Sequence, residues 1–213
     1  DSYFNEYTFQ TELGAPQYRG EDWNNYDEIQ FDFKSRNISG ALNYDATEKI
    51  GAGYGMVKYT FPKWELIAGV RVEHTDQGYL LKYPVGDVKA ENSQVYTDVL
   101  PSFHLKYGVH ENANLRFSYA RAINRPSFFE IVPYTILNED YDEKGNPDLK
   151  HTVADNIDLR YEFFPKSSEQ FMVGVFYKYL QNPIEYGLEI QGSDAFYIPM
   201  NFGNATNLGL EVD

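Results

Sequence analysis

The chain has 213 residues with 32 acidic against 18 basic side chains, a net charge of −14, which argues against nucleic acid as a partner because phosphate contacts need a surplus of Lys and Arg. It has no cysteine, so disulfides, thiolate catalysis and cysteine-based metal sites are excluded together. The 19 Tyr, 15 Phe and 2 Trp, 17% of the residues, point to β structure, since aromatic rings suit a half-buried pleated surface.

Taken in order, residues 1–10 carry neither the basic start nor the apolar run of a signal peptide, so the chain reads as a mature protein or a piece of one. Between Asp1 and Phe33 eight carboxylates accompany a single basic residue, Arg19, and Gly14, Pro16 and Gly20 interrupt any periodicity. Residues 1–45 are therefore expected to be an acidic external loop region with short strand pieces, and residues 46–213 one unit of antiparallel strands.

Residues 49–61 are strand-like, with Gly51, Gly53 and Gly55 leaving one face nearly bare for another backbone or a plug to approach. A tight turn at Phe61-Pro-Lys-Trp64 leads into the clearest alternation: Trp64, Leu66, Ala68, Val70 and Val72 share one face, and Glu65, Arg71 and Glu73 the other. The pattern returns with Val99, Phe103, Leu105 and Tyr107, then Leu115, Phe117 and Tyr119, then Ile157, Leu159, Tyr161 and Phe163, then Phe171, Val173, Val175, Tyr177 and Tyr179.

Connections alternate too: residues 61–64, 108–113 and 164–169 are short turns, while 82–94, 123–151 and 181–199 are long. No run approaches the roughly 18 apolar residues of a membrane-spanning helix, but short turns on one rim and long loops on the other describe an outer-membrane β-barrel. Tyr59, Phe61, Trp64, Tyr107, Phe163, Phe164 and Phe171 crowd the short-turn ends as an interfacial girdle would. A soluble β-sandwich uses the same alternation and the same rings, so both classes stay open on pattern alone.

The runs Leu66-Ile-Ala-Gly-Val-Arg-Val-Glu-His-Thr75, Leu100-Pro-Ser-Phe-His-Leu-Lys-Tyr107 and Leu115-Arg-Phe-Ser-Tyr-Ala-Arg-Ala-Ile-Asn-Arg-Pro126 resemble barrel strands of TonB-dependent outer-membrane receptors, particularly the variety abundant in the Bacteroides group. Gly145-Asn-Pro-Asp-Leu-Lys150, with Asp155, Asn156, Tyr161 and Glu162, is similar to a further element, with His151 where the family usually has Pro. A last strand, residues 201–212, carries Gly203, Ala205, Gly209 and Glu211. The resemblance covers residues 44–213 and implies an all-β fold in the bacterial outer membrane, with membrane lipid around it. It implies capture of a small-molecule nutrient (siderophore, cobalamin, glycan or peptide) and a TonB complex reached through a plug region absent from this chain. A plugged transporter of this class needs about 22 strands, so the chain is expected to be an internal barrel segment, present as a partial barrel or open sheet.

Residues 123–151 hold the densest candidate chemistry. Arg125, Tyr134 and Tyr141 are expected to face ligand, as aromatic platforms with Arg and Asp bind sugars and iron chelates alike; Tyr3, Phe4, Tyr7, Tyr18, Trp23 and Tyr26 are further loop aromatics. Asp140-x-Asp142-x-Lys144-Gly145 matches the opening of an EF-hand, but Lys144 replaces an oxygen ligand and His151 the bidentate Glu, so calcium is not expected. His74, His104, His110 and His151 form no metal pair, and no cofactor is expected. Arg71, Glu73, His104, Arg116, Asn156 and Arg160 are expected to line the barrel interior. Glu65, Glu73, Asp158 and Glu162 could be set as a glycosidase pair, yet interleaved with arginines they more naturally form cross-strand ion pairs. Neither catalytic nor metal-ligating residues are expected. The alternative of another class is a soluble carbohydrate-binding β-sandwich without catalysis.

Overall fold

The computed structural model describes residues 7–11, 29–33, 43–82, 84, 88–136, 141–166, 168–192 and 194–213. The side chains of the early loop aromatics, from Tyr3 to Tyr26, lie outside the described residues. In the acidic N-terminal region, β1 (Tyr7–Thr11) and β2 (Ile29–Phe33) pair antiparallel with each other.

The body is a seven-stranded antiparallel sheet in the order β13-β10-β9-β6-β5-β4-β3. Its members are β3 (Tyr44–Thr60), β4 (Trp64–Leu81), β5 (Glu91–His110), β6 (Ala113–Asn124), β9 (Thr152–Lys166), β10 (Glu169–Gln181) and β13 (Asn204–Val212). Neighbouring strands are joined alternately by short and long connections, as the sequence predicts. Two long connections are built structures in themselves. One carries helix α1 (Phe128–Ile131) and the short strands β7 (Thr135–Ile136) and β8 (Asp142–Lys144); the other is a hairpin of β11 (Ile184–Gln191) and β12 (Asp194–Asn201). Together these form a second sheet in the order β11-β12-β8-β7. Much of the 181–199 connection read from sequence as a long loop is thus paired strand, residues 184–191 with 194–201. The hairpin leaves the large sheet through a neck in which Asn182 (φ 51°) donates its N–H to the Gly203 carbonyl at 2.8 Å and Gly203 has φ 42°. Asn and Gly tolerate that left-handed backbone with little strain.

The strands are long. β4 has 18 residues and β5 has 20, several times the usual 5–6. On β4 the face of Leu66, Ala68, Val70 and Val72 stays apolar over residues 64–72, the roughly 9–11 residues that a tilted strand needs to cross a bilayer. Register continues this face through Leu105 and Phe103, Phe117, Leu159, Val175 and Leu210. Above the band it turns polar: His74 meets Thr97 at 2.9 Å, and Arg121 donates two bonds of 2.9 Å to the Asp155 carboxylate, which also accepts from the Tyr119 hydroxyl at 2.7 Å. At the other limit, Trp64 and Tyr107 rings lie 4.3 Å apart beside the short turn in which Phe61 N–H bonds the Trp64 carbonyl at 2.7 Å.

Two expectations are corrected by this register. Gly51, Gly53 and Gly55 stand opposite His74, Val72 and Val70, so the bare face lies on the apolar side of the sheet, away from any plug against the polar side. The sandwich alternative fails as well, since among the described residues no second sheet covers the apolar face: Leu159 is 41% and Leu210 67% exposed.

Candidate functional site

The opposite, polar face collects the six residues assigned from sequence to the interior. Arg71 and Glu73 lie on β4, His104 opposite Ser118, Arg116 opposite both Lys106 and Arg160, and Asn156 opposite Ala120, all on one side of the sheet. Charges on this face are paired. Arg116 Nε meets Glu162 at 2.7 Å and Lys58 meets Glu65 at 2.9 Å, while Glu73 is held by both Arg71 and Arg125. Three of the carboxylates considered for glycoside hydrolysis, Glu65, Glu73 and Glu162, are therefore each engaged by a cation. Asp158 accepts from the Ser118 hydroxyl at 3.4 Å. Among the described residues no group of three or more His, Asp or Glu side chains converges as a metal site would require.

Over the upper half of this face sits a cap built from the two long connections. It starts at α1, whose first turn is closed by a capping box: Ser127 N–H donates to Glu130 at 2.7 Å and Glu130 N–H donates to Ser127 Oγ at 3.3 Å. The helix sets Ile131 and Val132 against Tyr79 and Leu81 of β4, with Leu149 completing a buried cluster. Gly145 lies so close under this turn that a Cβ there would stand 1.8 Å from the Val132 carbonyl oxygen. Burying the cap requires partners for its backbone, and the polar face supplies them. Gln77 donates to the Pro126 carbonyl at 2.9 Å, Asn92 to that of Pro147 at 2.7 Å, and Gln94 to that of Leu149 at 2.8 Å.

Pro101 explains where the cap enters. β5 pairs with β6 only from Ser102 down to His110, and a proline just above that point has no N–H to leave unpaired. Beyond it the two strands part, and the last arm of the connection lies alongside β5. His151 stacks on Tyr96 with ring centroids 4.1 Å apart and reaches Asp98 at 3.0 Å.

The second hairpin is locked onto the first connection. β12 pairs parallel with β8, Asn146 donates to the Pro199 carbonyl at 3.0 Å, and Asn201 exchanges bonds of 2.8 and 2.9 Å with the backbone of Lys150. Tyr197, on the surface of this cap, contacts Tyr186 at 4.9 Å and Tyr141 at 5.3 Å.

The three residues expected to face ligand separate here. Tyr141 is 40% exposed and belongs to the tyrosine cluster. Tyr134 is only 1% exposed and packs on Phe129 at 4.6 Å, so it holds the loop together and is turned away from solvent. Burial pushes its phenol pKa upward, with Tyr186, Glu143 and Glu130 adding to the rise. Arg125 lies under the cap, bonded to Glu73 and, at 3.2 Å, to Thr75. Its sequence signal, a cation between a strand and a Pro, fits a loop anchor as well as a ligand contact. Sequence reasoning missed Asn92, Gln94, Asn146 and Asn201, whose amides carry the cap; the period-two spacing of Asn92 and Gln94 with Tyr96 and Asp98 is the signal that marks them as one face.

Arg125→Ala is expected to destabilise the cap by about 1–3 kcal/mol, because Glu73 and Thr75 lose a charged donor while Arg71 still neutralises the carboxylate. Faster proteolytic cleavage between residues 126 and 151, with the rest of the protein resistant, is the corresponding observation.

The sequence matches the outer membrane protein beta-barrel family over residues 6–213. A search of curated proteins gives no match. Among solved structures the fold is similar to a mutant of the Serratia marcescens hemophore receptor HasR in complex with its hemophore HasA and heme, with TM-score 0.62 and 12% identity over 78% of this chain and 31% of that one. It is similar to the copper transporter OprC, with TM-score 0.63 and 14% identity over 92% of this chain and 29% of that one. The siderophore receptor PirA from Pseudomonas aeruginosa gives TM-score 0.53 and 15% identity over 80% of this chain and 40% of that one. The chain thus spans well under half the length of each of these proteins.

Proposed function

Because the chain belongs to the outer membrane protein β-barrel family of the bacterial outer membrane, we propose that it forms part of the barrel of a TonB-dependent receptor that binds a nutrient at the cell surface and passes it to the periplasm. The observation that carries this reading is the antiparallel sheet with an apolar band on one face and a paired polar face on the other, surmounted by a cap made of the long connections. In a closed barrel the apolar band would meet lipid, and Arg71, Glu73, His104, Arg116, Asn156 and Arg160 would line the lumen. The short turns would face the periplasm and the cap the outside. Transport on this reading is driven by the inner-membrane TonB complex acting through a plug, and the barrel performs no covalent chemistry. The Bacteroides-type assignment rests on the sequence motifs alone.

The structural neighbours bear names that speak of heme, siderophore and copper, and the ligand here is proposed only as a scarce small-molecule nutrient. Tyr141, exposed within its cluster, is the proposed contact; Arg125 and Tyr134 position the cap that presents it. Tyr141→Ala should raise the nutrient concentration for half-maximal uptake about three- to tenfold, the worth of one aromatic stacking contact.

The test of the whole reading is fractionation of native cells with an antibody to this chain. A band larger than the chain, in the outer-membrane fraction, whose mobility shifts on boiling is the expected result. A soluble band without a heat shift overturns it.

A further inference from the structure

The register of β5, β6 and β9 sets Lys106, Arg116 and Arg160 directly across from one another in one row of the polar face. Side chains so placed have Cβ atoms roughly 5 Å apart, and like charges in that relation repel. In a chain with net charge −14, a row of three adjacent cations is not a by-product of composition. The nearby carboxylates Glu65, Asp158, Glu162 and Glu211 balance the row and Lys58 in number, but not contact by contact. Glu65, opposite Lys106, is bonded by Lys58 at 2.9 Å, Glu162 by Arg116 at 2.7 Å, and Asp158 accepts from the Ser118 hydroxyl at 3.4 Å. Arg160 reaches Glu211 at 3.6 Å, with the two side chains 45% and 57% exposed. Lys106 has no carboxylate in salt-bridge contact among the described residues.

The row also has room in front of it. A cavity of about 470 Å³ opens there, lined by the three cations together with Glu65, Asp158, His104 and Ser118. Two planar guanidinium forks and an ammonium converging on one space match an oxyanion, which can accept a bond from each while relieving their mutual repulsion.

We infer that the Lys106, Arg116 and Arg160 row is an anion site that takes a carboxylate or phosphate group. The inference rests on the polar face being the barrel interior. The group can come from two sources: a solute in passage, or an acidic side chain of the same polypeptide outside these residues.

The experiment uses the intact outer-membrane protein in detergent, with Lys106→Gln/Arg160→Gln as the variant. Arg116 is spared because its loss would strand the buried Glu162 carboxylate. Citrate and inorganic pyrophosphate are titrated calorimetrically, and carbodiimide coupling of Lys106 is mapped by mass spectrometry. A solute-borne anion predicts binding of citrate or pyrophosphate that weakens at least tenfold in the variant, as loss of two charge-assisted donors requires. A group from the polypeptide itself predicts no solute binding and a Lys106 linkage to an Asp or Glu outside residues 1–213. Equal solute affinity in variant and parent, or no solute binding together with a linkage confined to Glu65 or absent, overturns the site. The boiling shift of the same samples reads barrel closure separately: a protein that shifts yet fails both arms defeats the anion site alone, whereas one that never shifts defeats the barrel and the site with it.

Discussion

Arginine at Leu159 is expected to abolish assembly into the outer membrane, and arginine at Asn156, three residues away on the same strand, to leave it almost untouched. Leu159 stands between Phe117 of β6 and Val175 of β10 in the middle of the apolar band. It is 41% exposed with none of the described residues layered over it, so its surroundings in a membrane are hydrocarbon. A guanidinium on the lipid face near the bilayer midplane costs about 2–4 kcal/mol, a large part of the stability of an ordinary folded domain. Val70→Arg, on β4, should act in the same direction with a smaller effect, since the band ends just above it at His74.

Asn156 lies on the other face, flanked by Ala120 and Lys178. Its amide donates to the Ala120 carbonyl at 3.1 Å, and losing that bond costs only about 1 kcal/mol. An arginine there joins other charged side chains in a watery space. The measurement is the amount of heat-shifting protein in outer-membrane fractions of cells expressing each variant of the full polypeptide. Comparable losses at Leu159 and Asn156 would remove the basis for assigning the two faces.

The faces were legible in sequence because membrane strands obey a two-residue period that the turns do not disturb. Trp64 to Val72 and Phe171 to Tyr179 each hold one parity for nine residues, and the six polar residues fall on the complementary parity. The glycines at 51, 53 and 55 were misplaced for want of carrying that parity through the Pro62-Lys63 turn, across which Tyr59 pairs with Leu66 and Gly55 with Val70.

The cap was not legible, for a different reason. Its helix is one turn long, too short to show a 3.6-residue period, and the only local mark is the Ser127-x-x-Glu130 capping box. The hairpin of β11 and β12 contains Gly187 and Pro199, which weaken a strand reading, and its pairing to β8 joins segments more than fifty residues apart. Tyr134 and Tyr141 sit in one loop and look alike in sequence. Only the long-range packing of Ile131, Val132 and Leu149 onto β4 makes the first a buried prop and leaves the second at the surface.

That packing carries the second large effect. Gly145→Ala should release the cap from the barrel without unfolding the barrel. The added methyl would stand 1.8 Å from the Val132 carbonyl oxygen and 2.8 Å from its carbon. Both are backbone atoms, so no rotamer change relieves the clash. Either α1 must leave β4 or the Gly145 segment must leave α1, at a cost above ~4 kcal/mol, in the range reserved for forced repacking of a core. Leu149→Ala attacks the same cluster by subtraction and should cost about 2–5 kcal/mol. Neither change touches the ladder from β3 to β13, so boiling-dependent mobility should persist in both variants. What should change is access: trypsin added to intact cells should cut at Lys144 or Lys150. Retention of protease resistance in Gly145→Ala would mean that α1 does not seat on Gly145 in the membrane-embedded protein. Loss of the heat-shifted band would mean that the cap is part of the barrel's folding unit, a coupling that the amides of Gln77, Asn92 and Gln94 are placed to transmit.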